Sequence, residues 1–169
     1  MGKTFLHVGC GSDPAPDWAK GMEEVRLDID DQYKPDIVAN MLDMGDIGDF
    51  DVVLCQHALE HLYPHEVGIA LNEFRRVLKD GGMAMIIVPD LEDVRPTEDV
   101  ILEAPIGPIT GLDMIYGYRP AIKDKPYMAH KTGFVESNLQ KELNKARFSK
   151  VFTNRNGNYN LIGVEIKKK

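Results

Sequence analysis

The sequence predicts an α/β fold: a doubly wound, mostly parallel sheet of seven strands that ends in an antiparallel hairpin. Three observations carry this. Short apolar runs alternate with turns and one long amphipathic helix pattern, the layout of strands joined by crossovers. Residues 50–56, Phe50-Asp51-Val52-Val53-Leu54-Cys55-Gln56, are nearly all apolar, as in a central parallel strand covered on both faces. Near the C-terminus two strand patterns flank Asn156-Gly157-Asn158, a hairpin signal.

Taken in order, residues 4–8 form the first strand. Asp13-Pro14 has the look of an N-cap and first helical position, and Pro16 and Gly21 keep any helix there short. Residues 25–29 are the second strand and 36–41 the third, with Gly45 and Gly48 marking the turn before the fourth at 50–56. A helix follows from about Pro64 to Lys79, because Val67, Ala70, Leu71, Phe74 and Leu78 make one apolar face. Asp80-Gly81-Gly82 is read as its stop, and 83–88 as the fifth strand. Residues 91–133 break the pattern with five prolines and interspersed Met114, Tyr116, Tyr118, Tyr127 and Met128. A connection this long is functional or disordered, and its aromatic content argues for an ordered cover over a site. Ser137 and Gln140 have capping-box spacing ahead of Leu139, Leu143 and Ala146. Residues 148–154 and 161–166 complete the strands. The chain of 169 residues is therefore expected to be one domain over 1–169, with an irregular substrate-covering segment at about 91–133.

Composition narrows the function. The formal net charge of −7 disfavours nonspecific nucleic-acid binding, and the closing Lys167-Lys168-Lys169 reads as a solvated chain end. No apolar run approaches the ~20 residues of a membrane span. Without a signal segment, and with only Cys10 and Cys55, the expectation is a cytoplasmic protein in a reducing compartment, both thiols small buried residues.

The chemistry gathers at Phe5-Leu6-His7-Val8-Gly9-Cys10-Gly11-Ser12-Asp13-Pro14, a strand running into a glycine turn. Two glycines let a ligand approach the main chain. Asp28, seventeen residues after Gly11, closes the next strand. Such a turn with such an acid is the layout of a nucleoside-type cofactor site, the acid taking the ribose hydroxyls. A nicotinamide dinucleotide ranks lower, because Asp13-Pro14 sets a carboxylate and a ring where a pyrophosphate needs a helix N-terminus. His57-x-x-Glu60-His61, with His65 a turn further on, matches an inverted zinc-protease pattern. That pattern needs a regular helix, whereas these residues leave a strand directly, so no metal is expected.

These residues resemble the class I S-adenosylmethionine-dependent methyltransferases over about residues 4–90 and 129–166. Leu6-His7-Val8-Gly9-Cys10-Gly11 is similar to the family's first motif. Phe50-Asp51-Val52-Val53 with His57-Ala58-Leu59-Glu60-His61-Leu62 is similar to its fourth, and Phe74-Arg75-Arg76-Val77-Leu78-Lys79-Asp80-Gly81-Gly82 to the turn before its fifth strand. His130-Lys131-Thr132-Gly133-Phe134 resembles a small subgroup of predicted methyltransferases. The resemblance implies a Rossmann-like methyltransferase fold with reduced helices and S-adenosylmethionine as cofactor. Gly9, Cys10 and Gly11 would line its methionine part, Asp28 its ribose and Ile29 its adenine. Asn40 and Met41 would read the adenine edge, and Gln56 would sit beside the sulfonium. His7 stands where the family often has an acid and joins the cofactor-binding set.

Methyl transfer needs the nucleophile, methyl carbon and sulfur held in line, with a base only for a protonated acceptor. His57, His130 and Tyr116 are the catalytic candidates by position and loop context. The expected acceptor is a small molecule, a sugar or a lipid. The alternatives are a catalytically inactive binding or interaction module on the same fold and, behind it, an NAD-binding oxidoreductase.

Overall fold

The apolar runs pair into one seven-stranded sheet in the order β3-β2-β1-β4-β5-β9-β8. The structure is a computed structural model and describes residues 2–148, 150–157 and 159–167. The strands are β1 (Thr4–Val8), β2 (Glu23–Asp28), β3 (Ile37–Val38), β4 (Phe50–Gln56) and β5 (Leu78–Pro89). After a separate two-stranded ribbon, β6 (Val100–Ala104) and β7 (Gly107–Thr110), come β8 (Lys150–Asn156) and β9 (Asn160–Ile166). β1 to β5 pair in parallel, and β9 runs antiparallel to both β5 and β8. The doubly wound order is as expected: the winding reverses between β1 and β4, the place where an open α/β sheet leaves a crevice at its C-terminal strand ends.

α1 (Pro64–Arg76) and α4 (Glu136–Lys145) are the two longest helices. Val67, Leu71 and Phe74 of α1 and Leu139 and Leu143 of α4 share one core with Leu6, Val8, Val53, Cys55 and Ile86 of the sheet. Phe5, Val52 and Leu54 face the other way, into a smaller cluster closed by Ala19 and Met22. Alternation along β1 and β4 thus feeds two cores from one run of apolar residues.

Several local expectations change. Asp13-Pro14 starts no helix; the connection from β1 holds only a 3₁₀ turn at Asp17–Ala19, capped by no side chain. The third strand is Ile37–Val38 rather than 36–41, because the flanking polar groups are used elsewhere. Asp36 accepts from the Arg26 amide, and Asn40 Oδ1 accepts from the Leu42 amide. α1 stops at Arg76, before the glycines. Asp80-Gly81-Gly82 lies inside β5 as a bulge, where the register jumps from Phe50↔Leu78 to Val52↔Met83. α4 begins at Glu136, its cap supplied not by Ser137 and Gln140 but by Asn138, which accepts from the Val135 amide at 2.9 Å. The hairpin strands β8 and β9 pair antiparallel as expected, but the first runs over Lys150–Asn156 rather than 148–154; Asn158 lies outside the described residues.

Segment 91–133 is ordered. It leaves the sheet at Asp90 and returns beside it at Phe134, where the Leu91 amide donates to the Phe134 carbonyl. Between these ends lie β6, β7, α2 (Gly111–Tyr116) and α3 (Arg119–Ile122). Among the described residues no helix is long and apolar enough to cross a membrane.

Candidate functional site

The strand ends bring the glycine turn and the acid together. Gly9 has φ +65°, and a Cβ there would stand 2.5 Å from Ala58 Cβ, so only glycine lets the turn pack against the segment after β4. The Gly9 and Cys10 amides both donate to the Leu27 carbonyl, fastening the turn to β2. Asp28 is 7% exposed. Its Oδ2 accepts from the Gly11 amide at 2.8 Å and its Oδ1 from the Asp30 amide at 2.9 Å. Each carboxylate oxygen keeps a further acceptor position for a ligand hydroxyl. Ile29 follows, exposed, on the rim of an open cleft of about 430 Å³ lined also by Asp30, Gln32, Lys125 and Tyr127. The cleft starts one residue beyond Asp28 and does not reach the glycine turn.

Arg26 holds this arrangement from β2. Its Nη1 donates to the Asp13 carbonyl and its Nη2 to the Gly11 carbonyl, both at 2.8 Å. His7 is buried beside it, and its Nδ1 donates to Glu24 Oε1 at 2.9 Å. His7 therefore leaves almost no side-chain surface open. Cys10 is fully buried and offers only backbone; burial pushes its thiol pKa up, as it does for Cys55, also fully buried. Met41 lies beside Gly9, and a Cβ on Gly9 would be 3.8 Å from Met41 Cε. Asn40 is exposed, its Oδ1 engaged by the Leu42 amide.

Beyond β4 the chain turns sharply. Gln56 ends the strand in register with Ile87, and His57 adopts φ +49°, a left-handed conformation that costs a non-glycine residue energy. That twist and the 3₁₀ turn Leu59–His61 tuck Glu60 under the site, 2% exposed. His57 Nδ1 lies 3.7 Å from Glu60 Oε1, and His130 Nε2 lies 4.0 Å from the same oxygen. Two of the three catalytic candidates thus converge on one buried carboxylate. The third, Tyr116, has an exposed side chain; its carbonyl accepts from the His130 amide.

His130 arrives because its neighbours dock on the turn. The Lys131 and Thr132 amides donate to the Glu60 carbonyl, and Thr132 Oγ1 donates to the Leu62 carbonyl at 2.6 Å. This is the work of the His130-Lys131-Thr132-Gly133-Phe134 stretch. Charge is shared unevenly in the cluster. For Glu60, burial opposes ionisation, but His57, His61 and His130 outweigh it and hold the carboxyl below its usual range. For His57, burial opposes protonation, and the Glu60 carboxylate outweighs it with help from Asp13 and Asn160, so its pKa is raised. For His130, burial prevails over Glu60, and its pKa is lowered.

Sequence reasoning missed Arg26 as the staple of the turn and Glu60 as the hub. For Arg26 a signal exists: Glu24, Arg26 and Asp28 alternate along a strand, which puts all three on one face.

A protein family described as methyltransferase domain matches residues 6–86. No curated protein matches the sequence. Among solved structures, the chain is similar to a Burkholderia thailandensis 1,6-didemethyltoxoflavin-N1-methyltransferase with 1,6-didemethyltoxoflavin and S-adenosylhomocysteine bound. The TM-score is 0.64 at 16% identity, over 98% of this chain and 71% of that one. A SAM-dependent methyltransferase from Archaeoglobus fulgidus gives 0.66 at 16%, over 98% and 86%. Human N-acetylserotonin methyltransferase in complex with SAM gives 0.67 at 11%, over 99% of this chain and 48% of that one. The chain spans about half the length of several such neighbours. The resemblance read from the motifs holds: the chain carries the methyltransferase-domain pattern over its first half and the class I S-adenosylmethionine-dependent methyltransferase fold over nearly its whole length.

Proposed function

We propose that this chain is a methyltransferase that binds S-adenosylmethionine and methylates a small-molecule, sugar or lipid acceptor. The carrying observation is Asp28, locked to the Gly11 amide at the end of β2 with the exposed Ile29 and an open cleft beside it. The ribose hydroxyls would bond Asp28, the adenine would lie on Ile29 near Asn40 and Met41, and the methionine part would follow the Gly9-Cys10-Gly11 backbone toward Gln56. When bound, the cofactor supplies the electrophilic methyl group. His57, at the end of β4, is the side chain assigned to the acceptor's proton, and segment 91–133, carrying Tyr116 and His130, shields the acceptor from water. Two named neighbours methylate small molecules, 1,6-didemethyltoxoflavin and N-acetylserotonin, which supports an acceptor of that size. A dinucleotide is disfavoured because, among the described residues, the glycine turn leads into no α-helix; residues 13–16 are irregular and Asp13 stands there.

Titration calorimetry tests the reading. S-adenosylmethionine and S-adenosylhomocysteine are expected to bind in the micromolar range and NAD not at all. Hydrogen bonds to a charged group contribute about 1.5–3 kcal/mol each, so Asp28→Ala should weaken both sulfur cofactors by about tenfold or more. Equal affinity in Asp28→Ala would sink the site assignment. Absence of binding to either sulfur cofactor would instead leave the fold as a binding or interaction module.

A further inference from the structure

The cluster around Glu60 holds one feature that methyl transfer alone leaves unexplained. Glu60 Oε2 is buried and has no hydrogen-bond partner among the described residues. A buried carboxylate oxygen without a partner is costly, and an ion or water is its usual complement. Glu60, His61 and His130 each present one ligand atom, and these atoms lie within 4.8 Å of one another.

Both histidines are oriented from behind. His130 Nδ1 is 3.1 Å from the Met114 carbonyl and His61 Nδ1 is 3.4 Å from the Ala129 carbonyl. An imidazole that donates one N–H to a backbone carbonyl presents its other nitrogen as a bare lone pair, the outer-shell arrangement of metal-binding histidines. The two rings sit 5.1 Å apart, tilted by 58°. Lys131, next to His130 in sequence, donates to the His61 carbonyl and lies over the Tyr63 ring.

We propose that Glu60, His61 and His130 form a binding site for a divalent transition ion of the zinc class, next to the methyl-transfer position. Two imidazoles and one carboxylate are a ligand set for zinc and its first-row neighbours, and three protein ligands leave a coordination position open. Ligand bonds of about 2.0–2.2 Å would draw the three atoms together by roughly an ångström, a shift within reach of side-chain rotation. His57 Nδ1 lies on the same carboxylate, 3.7 Å from Oε1. The ion's role rests on the methyltransferase reading: an acceptor hydroxyl on the open position would lose its proton more readily. Binding of the ion does not rest on it. His65, the sequence pattern's other histidine, stacks on Tyr63 and is not in the cluster.

The test is titration of metal-free protein with Co²⁺, followed by visible d–d absorption, and with Zn²⁺ by calorimetry. One equivalent is expected. His61→Ala and His130→Ala should each lower affinity by at least the roughly 10–100-fold that losing an outer-shell partner costs, Glu60→Gln likewise, and His65→Ala should change nothing. Circular dichroism of each variant separates ligand loss from unfolding, and the two histidine variants carry the test if Glu60→Gln does not fold. No stoichiometric binding, or unchanged binding in His61→Ala and His130→Ala, overturns the site. Cobalt binding without S-adenosylmethionine binding would keep the site and remove the methyltransferase reading; the reverse result would do the opposite.

Discussion

Arg26 shows how one side chain sets the geometry of the glycine turn. The loop Cys10 to Asp13 has no helix to hold it, and its carbonyls point to the guanidinium instead. Two separated carbonyls need a rigid fork, which lysine lacks. Arg26→Ala should therefore leave the fold intact and weaken S-adenosylmethionine by about 1 kcal/mol, or roughly fivefold, since the side chain is partly exposed and its hydrogen bonds count for less than buried ones. Arg26→Lys should fall closer to alanine than to wild type. Calorimetry beside a thermal melt checks both; an unchanged affinity would mean the turn is held by Gly9 and Asp28 alone.

At the scale of elements, the glycine pair of β5 does more than its sequence context suggests. Gly81 has φ +79°, its amide donates to the Lys167 carbonyl, and the Gly82 carbonyl accepts from the Lys167 amide. A Cβ on Gly82 would lie 2.8 Å from the Lys79 carbonyl and 3.1 Å from that of Asp51. Backbone cannot yield as a side-chain tip can, so Gly82→Ala should cost about 1–3 kcal/mol in urea unfolding, with little change if the bulge can relax. Here sequence reading had the right residues and the wrong element. A glycine pair after an amphipathic run signals a helix stop equally well as a bulge, and only the pairing of β4, β5 and the chain end decides. The central strands were legible because burial on both faces leaves unbroken apolar runs: β1 and β4 have the expected bounds. β3 was not, because its short span is set by the Asp36 and Asn40 side chains capturing backbone amides, which no periodicity encodes. The glycine turn and Asp28 were legible from spacing. The Glu60 hub was not, because it is assembled by His130, seventy residues further along, through a docking that hydrogen bonds to the Glu60 and Leu62 carbonyls impose.

For the whole molecule, the proposed cover over the acceptor depends on how segment 91–133 is fastened to the sheet. Its ends meet at Asp90 and Phe134, and its far side rests on the loop after β2, where Tyr127 donates to Asp30 at 2.5 Å and Lys125 to Tyr33 at 2.7 Å. Inside the segment, Asp113 is the knot. It is 5% exposed, and it accepts from Arg119 Nε at 2.8 Å and from Thr110 Oγ1 at 2.6 Å, while Glu98 takes the other side of the Arg119 guanidinium. Burial opposes ionisation of Asp113, but the Arg119 and Thr110 hydrogen bonds outweigh it and bring the carboxyl down to about 2 from an ordinary value of 3.8. The folded pKa is depressed, so the stabilisation is complete above the unfolded value and is lost as pH falls through about 2. With Arg119 partly exposed, solvent screening leaves on the order of 1–2 kcal/mol. The segment should loosen between about pH 4 and pH 2, read as faster amide exchange in α2 while β1 and β4 stay protected. Asp113→Asn should show the faster exchange already at neutral pH and flatten its acid dependence. If α2 in Asp113→Asn kept wild-type protection at neutral pH, the cover would be held by its ends and the Asp30 contacts, and the Asp113 knot would have no part in closing the site.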